Sequence, residues 1–274
     1  MDEQEKVTKE ANVTPVDANY GLLIVSEESP SYKRLKSPGF SYALFFASIV
    51  LMFFSSFIIQ TIAQAILGET DDAAAFAFVN FWTFVLTFSL IVVFLAVSKT
   101  LPALIKKFLK LRPYITGVFY GFIVIMTSVI TTLVMQIIFG QADENLNQQI
   151  INLVLSRYPV SSFFWIVFLG PLVEELTYRA GLFNALSRRN RILAYVVSSA
   201  IFGFMHFNIP FDAEGAIDKA KLIEEFINIP SYIVSGVVFG FIYEKEGFAG
   251  SSVAHITNNL VSYILSIINI YAGK

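Results

Sequence analysis

The chain has 274 residues, of which 55% are hydrophobic and only 15% charged, with 28 Phe and a formal net charge of -2. Soluble domains carry about 25% charged residues, whereas apolar runs near the roughly 20 residues that cross a bilayer recur here, so the composition describes a polytopic helical membrane protein. The charge balance excludes a nucleic-acid partner, and the lack of cysteine excludes disulfides, thiolate zinc sites, a cysteine nucleophile and lipidation on cysteine.

Residues 1–38 are polar and mixed in charge, which predicts a mostly disordered cytoplasmic tail and not a signal peptide. The first predicted span covers about 39–67 and ends at Gly68-Glu69-Thr70-Asp71-Asp72. A second covers about 75–98 and runs into SKTLPALIKKFLKLRP, where Lys99, Lys106, Lys107, Lys110 and Arg112 accompany Leu and Phe at near-helical spacing. That stretch suits either an interfacial amphipathic helix on anionic lipid or an ordinary basic loop. The third span covers about 114–139, and a short helix at about 146–157 leads into the fourth, about 160–187. The fifth covers about 191–208 and opens into a polar loop at 209–229, where Glu224 and Glu225 are expected on a solvated helix face. The sixth, about 230–243, carries Ser235, Gly236 and Gly240, small residues suited to close helix packing. The seventh covers about 248–270. Seven crossings put Lys33, Arg34, Lys36, the basic stretch 99–112 and Arg188, Arg189 and Arg191 on one side. The positive-inside rule then places the N-terminus in the cytoplasm.

Ionisable residues at membrane depth cost about 2.5–3.5 kcal/mol on insertion scales, so they point to function. GPLVEELTYRAG places Glu174 and Glu175 some way into the fourth span. Glu175 and Arg179 are i and i+4 and are expected to pair, while Glu174 points about 100° away without that partner. Pro171 just before them frees a backbone carbonyl and can kink the helix. The only two histidines are His206, late in the fifth span, and His255, in the seventh with Asn259 one turn on. Two chemistries suit this set. A carboxylate helped by histidine can take a proton from water attacking a carbonyl, with imidazole and amide donating to the oxyanion. Alternatively, glutamates and histidines can hold a divalent metal that activates the same water.

EELTYR fits E-E-x-x-x-R, FGFMH fits F-x-x-x-H and HITNN fits H-x-x-x-N, in that order on successive helices. Over about residues 160–269 this resembles the CPBP family of intramembrane proteases, the CAAX prenyl endopeptidases and their bacteriocin-processing and self-immunity relatives. Tyr178 stands where phenylalanine is common, and Ala180 separates Arg179 from Gly181. The resemblance implies Glu174 as the water-activating carboxylate assisted by His206, and His255 with Asn259 as the oxyanion site. Glu175 and Arg179 are then supporting residues, Phe202 shapes the site, and no metal or other cofactor is obligatory.

The resulting expectation is an all-α membrane bundle of about seven helices with its site in the last four. The tail would be 1–38, N-terminal membrane helices and loops 39–159, and the catalytic bundle 160–270. The partners would be the lipid bilayer and a membrane-associated or lipid-modified peptide, in the plasma membrane of a bacterium. The other reading is a non-proteolytic immunity or regulatory protein that binds another membrane protein. A proton-relaying transporter would show an internal repeat, and none is evident.

Overall fold

The structure is a computed structural model that describes residues 35, 37–67, 72–212 and 214–272. Of the predicted tail 1–38, only Leu35, Ser37 and Pro38 are described, and Pro38 already begins the first helix; residues 68–71 also lie outside the described residues. Among the described residues, five helices are long and apolar enough to cross a membrane. These are α1 (Pro38–Leu67), α2 (Asp72–Val97), α4 (Arg112–Phe139), α6 (Pro159–Ser187) and α8 (Lys219–Ala272), with three shorter helices, α3 (Leu101–Ile105), α5 (Leu146–Arg157) and α7 (Arg191–Phe204), between them. No β-strand forms among the described residues; one isolated bridge, Phe211 to Ile217, closes the loop before α8. The polytopic helical bundle expected from composition is what folds.

Local chemistry explains the ends. Ser37 Oγ accepts the Phe40 N–H at 3.1 Å where α1 begins. Asn145 and Asn190 cap α5 and α7 by accepting the N–H groups of Gln148 and Leu193 at 2.9 and 3.0 Å. Each cap satisfies a donor that the first helical turn leaves open.

Two elements differ from the sequence reading. The fifth span is shorter than expected, because α7 stops at Phe204 and leaves His206 in the following turn. The sixth span begins much earlier, since α8 starts at Lys219 and carries Pro230 within it. Gly247, at φ 69° and ψ -164°, breaks α8 into two rods, and only a residue without Cβ adopts that backbone readily. Glu225 is accordingly not on a solvated face. It is 1% exposed, and its carboxylate accepts the Leu146 N–H at 2.7 Å and the Asn208 N–H at 3.2 Å. It caps α5 from a distant part of the chain, which local sequence does not reveal. Glu224 beside it is half-buried.

The basic ends gather at one end of the bundle. Arg112 Nε meets Glu246 at 2.7 Å, Arg191 Nη2 meets Glu244 at 2.7 Å, and the Arg188 guanidinium donates to the Leu35 carbonyl. At the opposite end, Tyr263 and Tyr271 donate to the carbonyls of Pro159 and Ser156.

The interior is built from Leu44, Ile91, Leu95, Val173, Phe183 and Tyr243 in one cluster and Phe45, Tyr178, Phe202, Phe239 and Ile242 in another. Phe53 and Phe57 on α1 and Ile137 on α4 face outward, as a lipid-facing surface allows. Gly117 and Gly121 on α4 let its backbone touch the second rod of α8. A Cβ at either position would come within 2.7 Å of Val253 or 2.6 Å of Thr257.

Candidate active site

The motif-bearing helix α6 is not a regular α-helix. Phe164–Leu169 and Glu175–Phe183 form π-helical turns on either side of the short α-helical stretch Gly170–Glu174. Such turns are rare and recur at functional sites. Pro171 accounts for part of this. In the wider register its missing N–H would have gone to the Ile166 carbonyl, while Gly170 gives its own N–H to Trp165. The Asn259 amide donates to that Ile166 carbonyl at 2.9 Å, so the second rod of α8 closes the gap.

Glu175 and Arg179 form the expected pair. Both side chains are 0% exposed, and Arg179 Nε lies 3.7 Å from Glu175 Oε2. Arg179 also donates to the Gly236 carbonyl at 3.1 Å. Its guanidinium carbon lies 4.4 Å from the Phe202 ring centroid and 5.3 Å from that of Phe239, in cation–π range of both. Phe202 thus touches Arg179, and its ring also meets His206 at 5.0 Å and His255 at 5.8 Å.

Glu174 points elsewhere, into a cavity of about 450 Å³ that His206, His255, Asn259, Tyr232 and Ser235 also line. Its Oε2 makes no hydrogen bond within the protein and lies 3.8 Å from His255 Nε2. His255 Nδ1 lies 3.1 Å from Glu175 Oε1, and its ring stacks on Phe239 at 4.3 Å. A carboxylate only accepts, so Nδ1 carries the hydrogen and Nε2 is the atom offered to Glu174. His206 is fixed in the same way: its Nδ1 donates to the Phe202 carbonyl at 2.9 Å, leaving Nε2 free.

All seven residues singled out by sequence therefore converge on one region. Glu174, His206, His255 and Asn259 line the cavity together with Phe202, while Glu175 and Arg179 lie buried behind it. The imidazole in line with Glu174 is His255; His206 enters the cavity from the turn after α7. Among the described residues, no three His, Asp or Glu side chains form a cluster suited to a metal ion. Tyr232 and Phe239 were missed. They stack on His206 and His255 respectively and lie seven residues apart, on one face of α8. That i, i+7 aromatic spacing was visible in the sequence.

Ionisable side chains gathered round an internal cavity at membrane depth place this protein among helical membrane proteins with a built polar site. Residues 156–261 match the family described as type II CAAX prenyl endopeptidase, Rce1-like, in agreement with the resemblance carried by the three motifs. The matched segment includes all seven residues named above. No curated protein and no solved structure matches the chain.

Proposed function

We propose that this protein is a CAAX-type intramembrane endopeptidase in which Glu174 activates the attacking water. The Rce1-like match supports membrane protease chemistry in general terms. The observation that carries the glutamate reading is the Glu174 Oε2 atom, a buried acceptor without a protein donor beside a cavity lined by two imidazoles. Such an acceptor is free to take a proton from water.

In this mechanism, Glu174 removes a proton as water oxygen bonds to the scissile carbonyl carbon. His206, a cavity-lining residue whose Nδ1 is taken up by the Phe202 carbonyl, holds or relays a proton of that water through Nε2. Negative charge collects on the former carbonyl oxygen. His255 in its doubly protonated form, the extra proton taken from bulk water before the cycle and kept through it, donates from Nε2 to that oxygen, with Glu175 fixing the ring through Nδ1. Asn259 spends one amide hydrogen on Ile166 and has a second for the oxyanion. When the C–N bond breaks, protonated Glu174 returns its proton to the leaving amine. The substrate is a membrane-associated or lipid-modified peptide, and the basic end of the bundle faces the cytoplasm.

The test compares wild type with Glu174→Gln, each purified and reconstituted in liposomes, on prenylated and unmodified membrane peptides by mass spectrometry. The variant keeps size and hydrogen bonding but loses the base. Its turnover should fall at least about 100-fold, the lower end of general-base effects. Wild-type turnover by Glu174→Gln rejects the assignment.

A further inference from the structure

His206 lies two residues beyond the end of α7, so a continuing helix does not fix its position. Its Nδ1 bond to the Phe202 carbonyl fixes one edge of the ring, and the face of the ring is held from elsewhere. Its ring stacks on Tyr232 at 4.4 Å with 16° between the planes. The Tyr232 hydroxyl accepts the Asn145 side-chain amide at 3.2 Å. Asn145 is the N-cap of α5, is 5% exposed, and accepts the Gln148 N–H. A second connection runs in parallel. Glu225 holds the first N–H of α5 with one carboxylate oxygen and the Asn208 N–H, two residues after His206, with the other. The N-terminus of α5 is thus tied to the His206 ring through Tyr232 and to the His206 loop through Glu225. One face of α5, including Asn147, Gln148 and Ile151, forms a wall of the cavity.

We infer that Tyr232 is a positioning residue for His206, and that seating α5 against the cavity is what sets the His206 ring. Removing either anchor turns the ring, so the site is complete only when α5 is in place. The catalytic consequence rests on His206 acting in the proposed hydrolysis. The geometric coupling does not.

The chain has only two histidines, which makes the coupling directly readable. Full-length protein with isotope-labelled histidine is placed in lipid nanodiscs, and the ring signals are assigned with a His206→Gln sample. Asn145→Ala touches no histidine, yet it is expected to shift the His206 ring signals and leave those of His255 in place. Tyr232→Phe keeps the stack but loses the hydroxyl link and should give the same selective shift. Tyr232→Leu removes the stack and should lower kcat about 10- to 100-fold, as small misplacements of a catalytic group do, with KM within about threefold. Unchanged His206 signals in Asn145→Ala overturn the coupling, as do equal shifts at both histidines. Unchanged kcat in Tyr232→Leu overturns the positioning role. If Tyr232→Leu does not fold, Asn145→Ala and Tyr232→Phe still decide the matter. Full turnover by Glu174→Gln would reject the base assignment while leaving the ring-signal result to stand separately.

Discussion

Asn259 donates its side-chain amide to the Ile166 carbonyl, 93 residues earlier, at the point where Pro171 withholds a backbone hydrogen. One amide therefore closes the gap in the π-helical turn and lines the cavity. An unsatisfied buried carbonyl costs about 1–3 kcal/mol, so this bond has a stability consequence separate from any role in catalysis.

The two roles separate in a double-mutant cycle. Asn259→Ala should lower the melting temperature and reduce cleavage about 100- to 1000-fold, the usual loss for an oxyanion donor. Pro171→Ala restores a backbone N–H near Ile166. In the double variant the stability losses should fall short of their sum, while cleavage stays low. Strict additivity in melting temperature would detach Asn259 from the Pro171 gap.

Arg179 predicts a folding defect. Its guanidinium is 0% exposed between two aromatic rings and faces Glu175, also 0% exposed. Removing one partner of a buried pair costs about 3–5 kcal/mol. Arg179→Ala should lower membrane yield and detergent melting temperature more than Glu174→Gln does. Normal stability with abolished cleavage would instead make Arg179 a direct substrate contact.

The lack of any cysteine makes orientation measurable by single-cysteine labelling. Cysteines at Lys107 and Arg189 should react with an impermeant reagent from the cytoplasm, and a cysteine at Asp143 from outside. Labelling of Arg189→Cys from outside would invert the assignment, because Arg188 beside it bonds Leu35 at the same end of the bundle.

Chelation separates the two chemistries that the residue types leave open. With Glu174 as the base, chelators should leave purified wild type fully active. Stoichiometric zinc in active protein, with activity lost on chelation and restored by metal, would make Glu174, His206 and His255 ligands instead.

The site was legible because charge in an apolar run is conspicuous: Glu174, Glu175, Arg179, His206 and His255 stand out wherever the helices end. Spacing alone paired Glu175 with Arg179. The role of Glu225 was illegible, because its partners Leu146 and Asn208 are brought to it only by tertiary packing. A polar surrounding sequence reads as solvated when nothing shows what covers it. The same limit applied to α8. Pro230 looked like a helix start but sits inside one, and the polar residues around Gly247 hid two buried glutamates, Glu244 and Glu246, each held by an arginine. The π-helical turns had one local cue, Pro171, while the bond that completes them comes from another helix.

The close approach of α4 to α8 has a consequence for how this protein can be divided. Gly117 and Gly121 belong to a helix that ends before the matched segment begins, yet their contacts, Val253 and Thr257, flank His255 on the rod that also carries Asn259. A fragment trimmed to residues 156–261 would inherit every residue of the candidate site and lose the glycine contacts packed beside His255. Chemical completeness and mechanical completeness part company here: α4 forms the bearing against which the second rod of α8 is aligned.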